Sequence, residues 1–148
     1  MDKRQQLMSE LMDLCNEIIW LNKPELESAL NGYTLNEIEL IENIALIPNA
    51  NVTKLAAASY MTRGAISKLT KKLIAKNIIE SYQNAENKKE IYFRLTTSGQ
   101  KINYIHQELH QSFLKRDKEV FEHMTDEEFD TIFRFIGRYR HHLKNITE

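Results

Sequence analysis

Leu7, Leu11, Leu14, Ile18 and Leu21 recur at steps of four, three, four and three, which lays one apolar stripe along an α-helix. That helix is expected to end before Pro24, because proline lacks the N–H an interior turn needs. A second helix is expected from Thr34, whose hydroxyl can cap it, with Glu37 three residues on completing a capping box. Its apolar positions are Ile38, Leu40, Ile41 and Ile44, and Pro48 closes it. Thr53 is the expected cap of a short helix through Leu55, Ala56 and Ala57. Thr62 is the expected cap of a longer one carrying Ile66, Leu69, Leu73 and Ile74. Asn77 then supplies a residue type that tolerates the left-handed conformation of a helix stop.

Beyond Asn77 the period changes. Ile78 to Tyr82 and Ile91 to Leu95 are β-rich runs on either side of the polar segment 83–90, the pattern of a hairpin. Ser98 is the expected cap of a long helix through Ile102, Ile105, Leu109 and Phe113 toward Val120. Met124-Thr125-Asp126-Glu127-Glu128 starts a last helix, with Phe129, Ile132, Phe133, Ile136, Tyr139 and Leu143 on one face. The pattern therefore gives a mainly α chain with one small β-hairpin.

Composition narrows the class. The 148 residues include four Gly and two Pro, too few for a turn-rich fold. The single cysteine, Cys15, forms no internal disulfide and suits a reducing, cytoplasmic setting. No apolar run approaches the roughly 18 residues of a membrane span, and no secretory segment is apparent. The chain lacks a Gly-rich phosphate loop, a nucleophile elbow and an HExxH zinc site, so no enzyme is expected.

Net charge is −1 but unevenly spread. Residues 51–100 hold nine Lys/Arg against three acids, for +6, and the remainder carries −7. A basic centre between acidic flanks suits a module that meets phosphate, although a solvated basic face would carry the same charge. The helices at 53–58 and 62–76, joined by a tight turn and followed by the hairpin, form a winged helix-turn-helix. In that motif the second helix enters the major groove of double-stranded DNA.

Its N-terminal half supplies suitable groups. Arg63 can bind guanine with two hydrogen bonds, and Ser67 can meet a base or a phosphate. Thr62 caps the helix, the small Gly64 allows close approach, and Lys68, Lys71 and Lys72 can reach phosphates. Asn87, Lys88 and Lys89 sit in the wing loop, placed for the backbone or the minor groove. A winged helix can also serve as a protein-docking module, but such a module has no need of this concentration of Lys and Arg.

Leu55-Ala56, Thr62 to Leu69, Leu73, Asn77-Ile78-Ile79-Glu80 and above all Leu95-Thr96-Thr97-Ser98-Gly99 resemble the MarR family of transcriptional regulators. The resemblance is detailed over residues 34–99. It departs from the family at Ser59, where leucine is usual, and at Asn77, where glycine is usual. The wing has Asn87, Lys88 and Lys89 in place of an Asp-x-Arg pair.

The resemblance implies one domain over residues 1–148. Its winged-helix DNA-binding core would be 34–99, with dimerisation helices at 1–24 and 100–148. It further implies a homodimer that represses at a pseudo-palindromic operator in response to a small-molecule, metal or acyl-carrier effector. The stripes at both ends of the chain are longer than a small DNA-binding module can cover, which independently suits a dimer.

His106 and His110 share a helix face at a spacing that can grip one metal ion. They resemble histidines of the zinc-sensing branch, for which Glu39 and Glu25 or Glu27 would be the added ligands. The run from Ile105 to His110 with Met124 to Glu128 looks closer to the branch that represses fatty-acid synthesis. Both histidines can equally be edge residues of the apolar stripe or wall residues of an apolar ligand pocket. Cys15, which has no basic neighbour, is expected to be a buried, inert thiol rather than a redox sensor. Trp20, Tyr33, Phe113 and Phe121 are expected to be core aromatics, with a ligand crevice as the alternative.

Overall fold

The computed structural model describes residues 2–147. They fall into two compact units, Met1–Gln111 and Ser112–Glu148, with the boundary inside the long fifth helix. The first unit contains α1 (Lys3–Ala29), α2 (Leu35–Leu46), α3 (Val52–Ser59), α4 (Arg63–Ala75), β1 (Ile79–Tyr82), β2 (Tyr92–Leu95) and most of α5 (Thr97–Arg116). The second contains the end of α5, then α6 (Lys118–Glu122) and α7 (Asp126–Thr147). None of the described helices is long and apolar enough to cross a membrane.

Four boundaries differ from expectation. α1 does not stop before Pro24 but runs through it to Ala29. Proline removes one backbone bond, yet the next turns bring Leu26 and the buried Leu30 to the protein, and the Leu30 N–H reaches the Leu26 carbonyl at 2.9 Å. α3 is capped by Asn51 rather than Thr53, the Asn51 Oδ1 accepting the Lys54 N–H at 2.8 Å. At the start of α5, Thr96 takes the role given to Ser98. Its hydroxyl accepts the Gly99 N–H at 3.1 Å and its carbonyl accepts that of Gln100 at 2.9 Å. α5 also ends at Arg116, short of Val120, which lies in α6.

Elsewhere local chemistry sets the ends as read. Thr34 and Glu37 form a full capping box on α2. Asn77 takes φ +59 and closes α4 with the Ile78 N–H on Leu73 and its own N–H on Ile74, both at 2.9 Å.

The main cluster of buried apolar residues lies in the first unit. Leu40, Ile41 and Ile44 of α2 meet Leu55 of α3, Ile66 and Leu73 of α4, and Ile79 and Phe93 of the hairpin. The strands pair antiparallel, Ile79 opposite Leu95 and Tyr82 opposite Tyr92. Phe93 also donates its N–H to the Ala50 carbonyl at 2.8 Å, which fastens the hairpin to the segment entering α3.

Candidate nucleic-acid interface

α3 and α4 are joined by Tyr60, Met61 and Thr62, with Tyr60 at φ +54 turning the chain. Ser59, where the family usually has leucine, accepts a hydrogen bond from Asn43 Nδ2 at 3.1 Å and so ties α3 to α2. Thr62 caps α4 by accepting the Ala65 N–H at 3.1 Å.

Ile66, Thr70 and Leu73 form the buried line of α4. At 100° per residue, Gly64, Lys68 and Lys71 lie on the opposite face, and all three are exposed. Arg63 is exposed at the first turn, and Ser67 is half-buried at the flank. No atom lies within 4 Å of where a Gly64 Cβ would stand, so that glycine leaves room outward and relieves no internal contact.

Lys72 is exposed, but its ammonium lies 3.5 Å from the carboxylate of Glu37, which is buried on α2. Lys76 approaches the other oxygen of Glu37 at 3.3 Å. Burial alone would raise the Glu37 pKa. The Thr34 backbone N–H and the Lys76 ammonium outweigh it and hold the carboxyl below its ordinary 4.5. The sequence marks Glu37 as a capping residue. Its second role joins positions 35 or more residues apart, and no local pattern signals that.

In the wing, Lys88 and Lys89 are exposed. Asn87 is spent partly on the loop itself. Its N–H donates to Asn84 Oδ1 at 2.8 Å, and its own Oδ1 accepts the Lys89 N–H at 3.2 Å. The missing Asp-x-Arg pair is answered by other bonds. Asn51 Nδ2 donates to Glu90 at 2.9 Å, Arg94 pairs with Glu80 at 2.7 Å, and the Tyr82 hydroxyl donates to Asn49 at 3.0 Å. Arg94 also stacks over the Tyr82 ring, 4.8 Å from its centre. Sequence reasoning missed Asn51 and Glu90; their only signal was an amide beside a helix start.

A cavity of about 930 Å³ opens in the same unit, walled by Ile18 and Leu26 of α1, Ile38 of α2, Tyr33, Tyr60 and the histidine pair. His106 is buried and His110 exposed, their Nε2 atoms 2.7 Å apart. Burial, then the neighbouring His110, lower the His106 pKa from 6.5, against the pull of Glu42. His106 Nδ1 is buried without a hydrogen bond, 3.9 Å from Glu42.

Glu39 and Glu27 also line the cavity, whereas Glu25 does not. Among the described residues no three His, Cys, Asp or Glu side chains converge as a metal set. As arranged, the two Nε2 atoms face each other, and Glu42 rather than Glu39 stands beside His106.

Of the four aromatics, Tyr33 packs on the core and lines the cavity, and Phe113 is buried. Trp20 and Phe121 are exposed, against expectation, and Cys15 is exposed rather than buried. The reason is shared for Trp20 and Cys15: the chain by itself leaves the α1 stripe uncovered, with Leu14 51% and Ile18 46% exposed.

Comparison with known proteins converges on the same module. The MarR family model matches residues 33–91. The HTH-type transcriptional regulator YvnA of Bacillus subtilis is 30% identical over 71% of this chain and 67% of its own length. The regulator YhjH of the same organism is 33% identical over 64% of this chain and 54% of its own, so the match leaves part of each relative uncovered. Streptococcus pneumoniae FabT, solved in complex with DNA, superposes with a TM-score of 0.81 at 17% identity over 97% of this chain and 99% of that one. The matched relatives are regulators, not enzymes, and the segment that the family model matches holds the helix-turn-helix of this chain. The chain belongs to the MarR family of transcriptional regulators.

Proposed function

We propose that the chain is a sequence-specific DNA-binding repressor that acts as a homodimer on a pseudo-palindromic operator. The observation that carries this is the outward face of α4, where Arg63, Gly64, Lys68 and Lys71 stand exposed beside a wing bearing Lys88 and Lys89. Arg63 reads a base edge, and the lysines neutralise phosphates. Two-fold symmetry sets two such helices about 34 Å apart, one turn of DNA. The solution of FabT with DNA bound supports the same use of this fold.

The repressor answers to an effector that enters the cavity beside α1 and α5. Its walls combine Ile18, Leu26 and Ile38 with Tyr33 and the histidine pair, a lining suited to an amphipathic molecule with one polar end.

The test is retention of random genomic fragments by the purified protein at low salt, followed by sequencing. An inverted repeat with half-sites one turn apart is expected. Retention of no fragment, with and without cell metabolites added, refutes the reading. Arg63→Ala is expected to cost about 1–3 kcal/mol on the recovered site and to relax its sequence preference. Lys89→Ala weakens specific and random duplexes alike. Identical behaviour of the two variants would remove their separate roles.

A further inference from the structure

Lys72 and Lys76 leave α4 one turn apart and converge on one carboxylate. The Glu37 side chain is 1% exposed, so its charge has to be matched inside the protein. Its Oε1 accepts the Thr34 N–H at 3.0 Å and lies 3.5 Å from Lys72 Nζ, while its Oε2 lies 3.3 Å from Lys76 Nζ.

The two lysines are held differently. Lys76 is fixed on three sides, because its ammonium also donates to the Gly32 carbonyl at 3.1 Å and stands over the Tyr33 ring, 4.8 Å from the centre. Lys72 is 53% exposed and meets the oxygen that already serves Thr34. With its ammonium half in solvent and its carboxylate oxygen shared with Thr34, Lys72 is the more exchangeable of the two cations on Glu37. Lys72 also stands on the flank of α4, between its buried line and its outward line, where phosphate contacts are made.

We propose that Lys76 is a positioning residue for the DNA contact: by satisfying the buried Glu37, it leaves the Lys72 ammonium available to a backbone phosphate. When Lys72 turns to DNA, Glu37 keeps Lys76 as its counter-ion. Without Lys76, moving Lys72 would strand a buried carboxylate, so Lys72 stays on Glu37 and DNA loses one cation per protomer. The inference rests on the DNA-binding reading above and adds to it a device that sets how much charge the recognition helix presents.

The salt dependence of binding to one random-sequence duplex, measured with the full chain, tests it. Lys72→Met should flatten the log–log slope by about 0.9 per bound protomer. Lys76→Met should flatten it equally, and the two together no further. Glu37→Gln in the Lys76→Met background removes the charge that captures Lys72, and its amide oxygen can still accept the Thr34 N–H. That double variant is expected to recover the wild-type slope, and Lys76→Arg to retain it. A Lys76→Met defect that Glu37→Gln does not rescue overturns the proposal, as does a Lys72→Met slope equal to wild type. If Lys76→Met does not fold, Lys76→Gln carries the same expectation.

The redistribution is also readable without DNA, from NMR of lysine ammonium groups. The Lys72 signal should become more protected from solvent in Lys76→Met and return in the double variant. An unchanged Lys72 signal refutes the inference itself. A wild type that binds no duplex refutes the DNA-binding reading and leaves this NMR comparison to decide the inference.

Discussion

Gly99 is the point at which the end of the wing meets the helix after it. A Cβ there would overlap the Ile78 carbonyl oxygen and stand 3.3 Å from the Leu95 Cβ. The Thr96 hydroxyl spans the same junction, within 2.8 Å of the Asn77 carbonyl and 2.9 Å of that of Ile78. The Leu-Thr-Thr-Ser-Gly run is thus the fitting that joins β2, the α4 stop and α5. Gly99→Ala is expected to destabilise the fold by about 1–3 kcal/mol, the usual cost of overpacking, read as a lower urea midpoint. Gly64→Ala is the control: with open space around it, removing a helical glycine should leave the midpoint unchanged or raise it. Equal midpoints for Gly99→Ala and wild type would refute the close approach.

His106 gives a pH dependence of definite sign. Burial and His110 depress its folded pKa, so the folded chain keeps it neutral while the unfolded chain takes a proton near 6.5. Stability is therefore full above pH 6.5 and is lost as pH falls through the depressed value. His106→Gln should shrink the drop in melting temperature between pH 7.5 and 5.5. A drop of the same size in both proteins would assign the effect to another group.

At the scale of elements, legibility depended on whether an end is decided locally. The α2 capping box, the Thr62 cap and the Asn77 stop involve residues within five positions of one another, and each was readable. Asn51 displaced Thr53, and Thr96 displaced Ser98, because each winner also bonds a distant partner. Asn51 bonds Glu90 and Thr96 bonds the Asn77 carbonyl. Neither pairing leaves a periodic trace in the sequence. For the same reason the basic face of α4 was legible while the pairing of Lys72 with Glu37 was not.

Asn51 also joins two elements, since one amide caps α3 and holds the base of the wing loop. Asn51→Ala should lose both, the cap alone being worth about 0.5–2 kcal/mol. Asn51→Asp keeps the cap acceptor but opposes Glu90. Hydrogen exchange over 83–90 is then expected to rise in both variants, and over 52–59 in the alanine variant alone. Unchanged exchange in the wing of either variant would show that Asn51 does not hold it.

At the scale of the whole molecule, the largest unbalanced feature is apolar surface. On α1, Met12 is 59%, Leu14 51% and Trp20 77% exposed; on α7, Phe133 is 63% and Ile146 66% exposed. Scattered apolar residues on a surface need no explanation, but two helical stripes of them mark surface that a partner covers. A second copy of the chain is the partner that the proposed operator symmetry requires. Sedimentation should therefore find a dimer at micromolar concentration. Phe133→Glu with Ile136→Glu places two charges on the α7 stripe and should yield a monomer. That monomer should bind an isolated half-site nearly as well as wild type but lose the gain from linking two half-sites, about 10²–10⁴-fold on a full inverted repeat. Cys15 supplies an independent readout, because it is exposed on α1 when the chain stands alone. Its reaction with a thiol reagent should be slow in the dimer and fast in the double variant. A wild type that sediments as a monomer yet binds the full repeat tightly would separate DNA recognition from dimerisation, and the exposed stripes would then need a different partner.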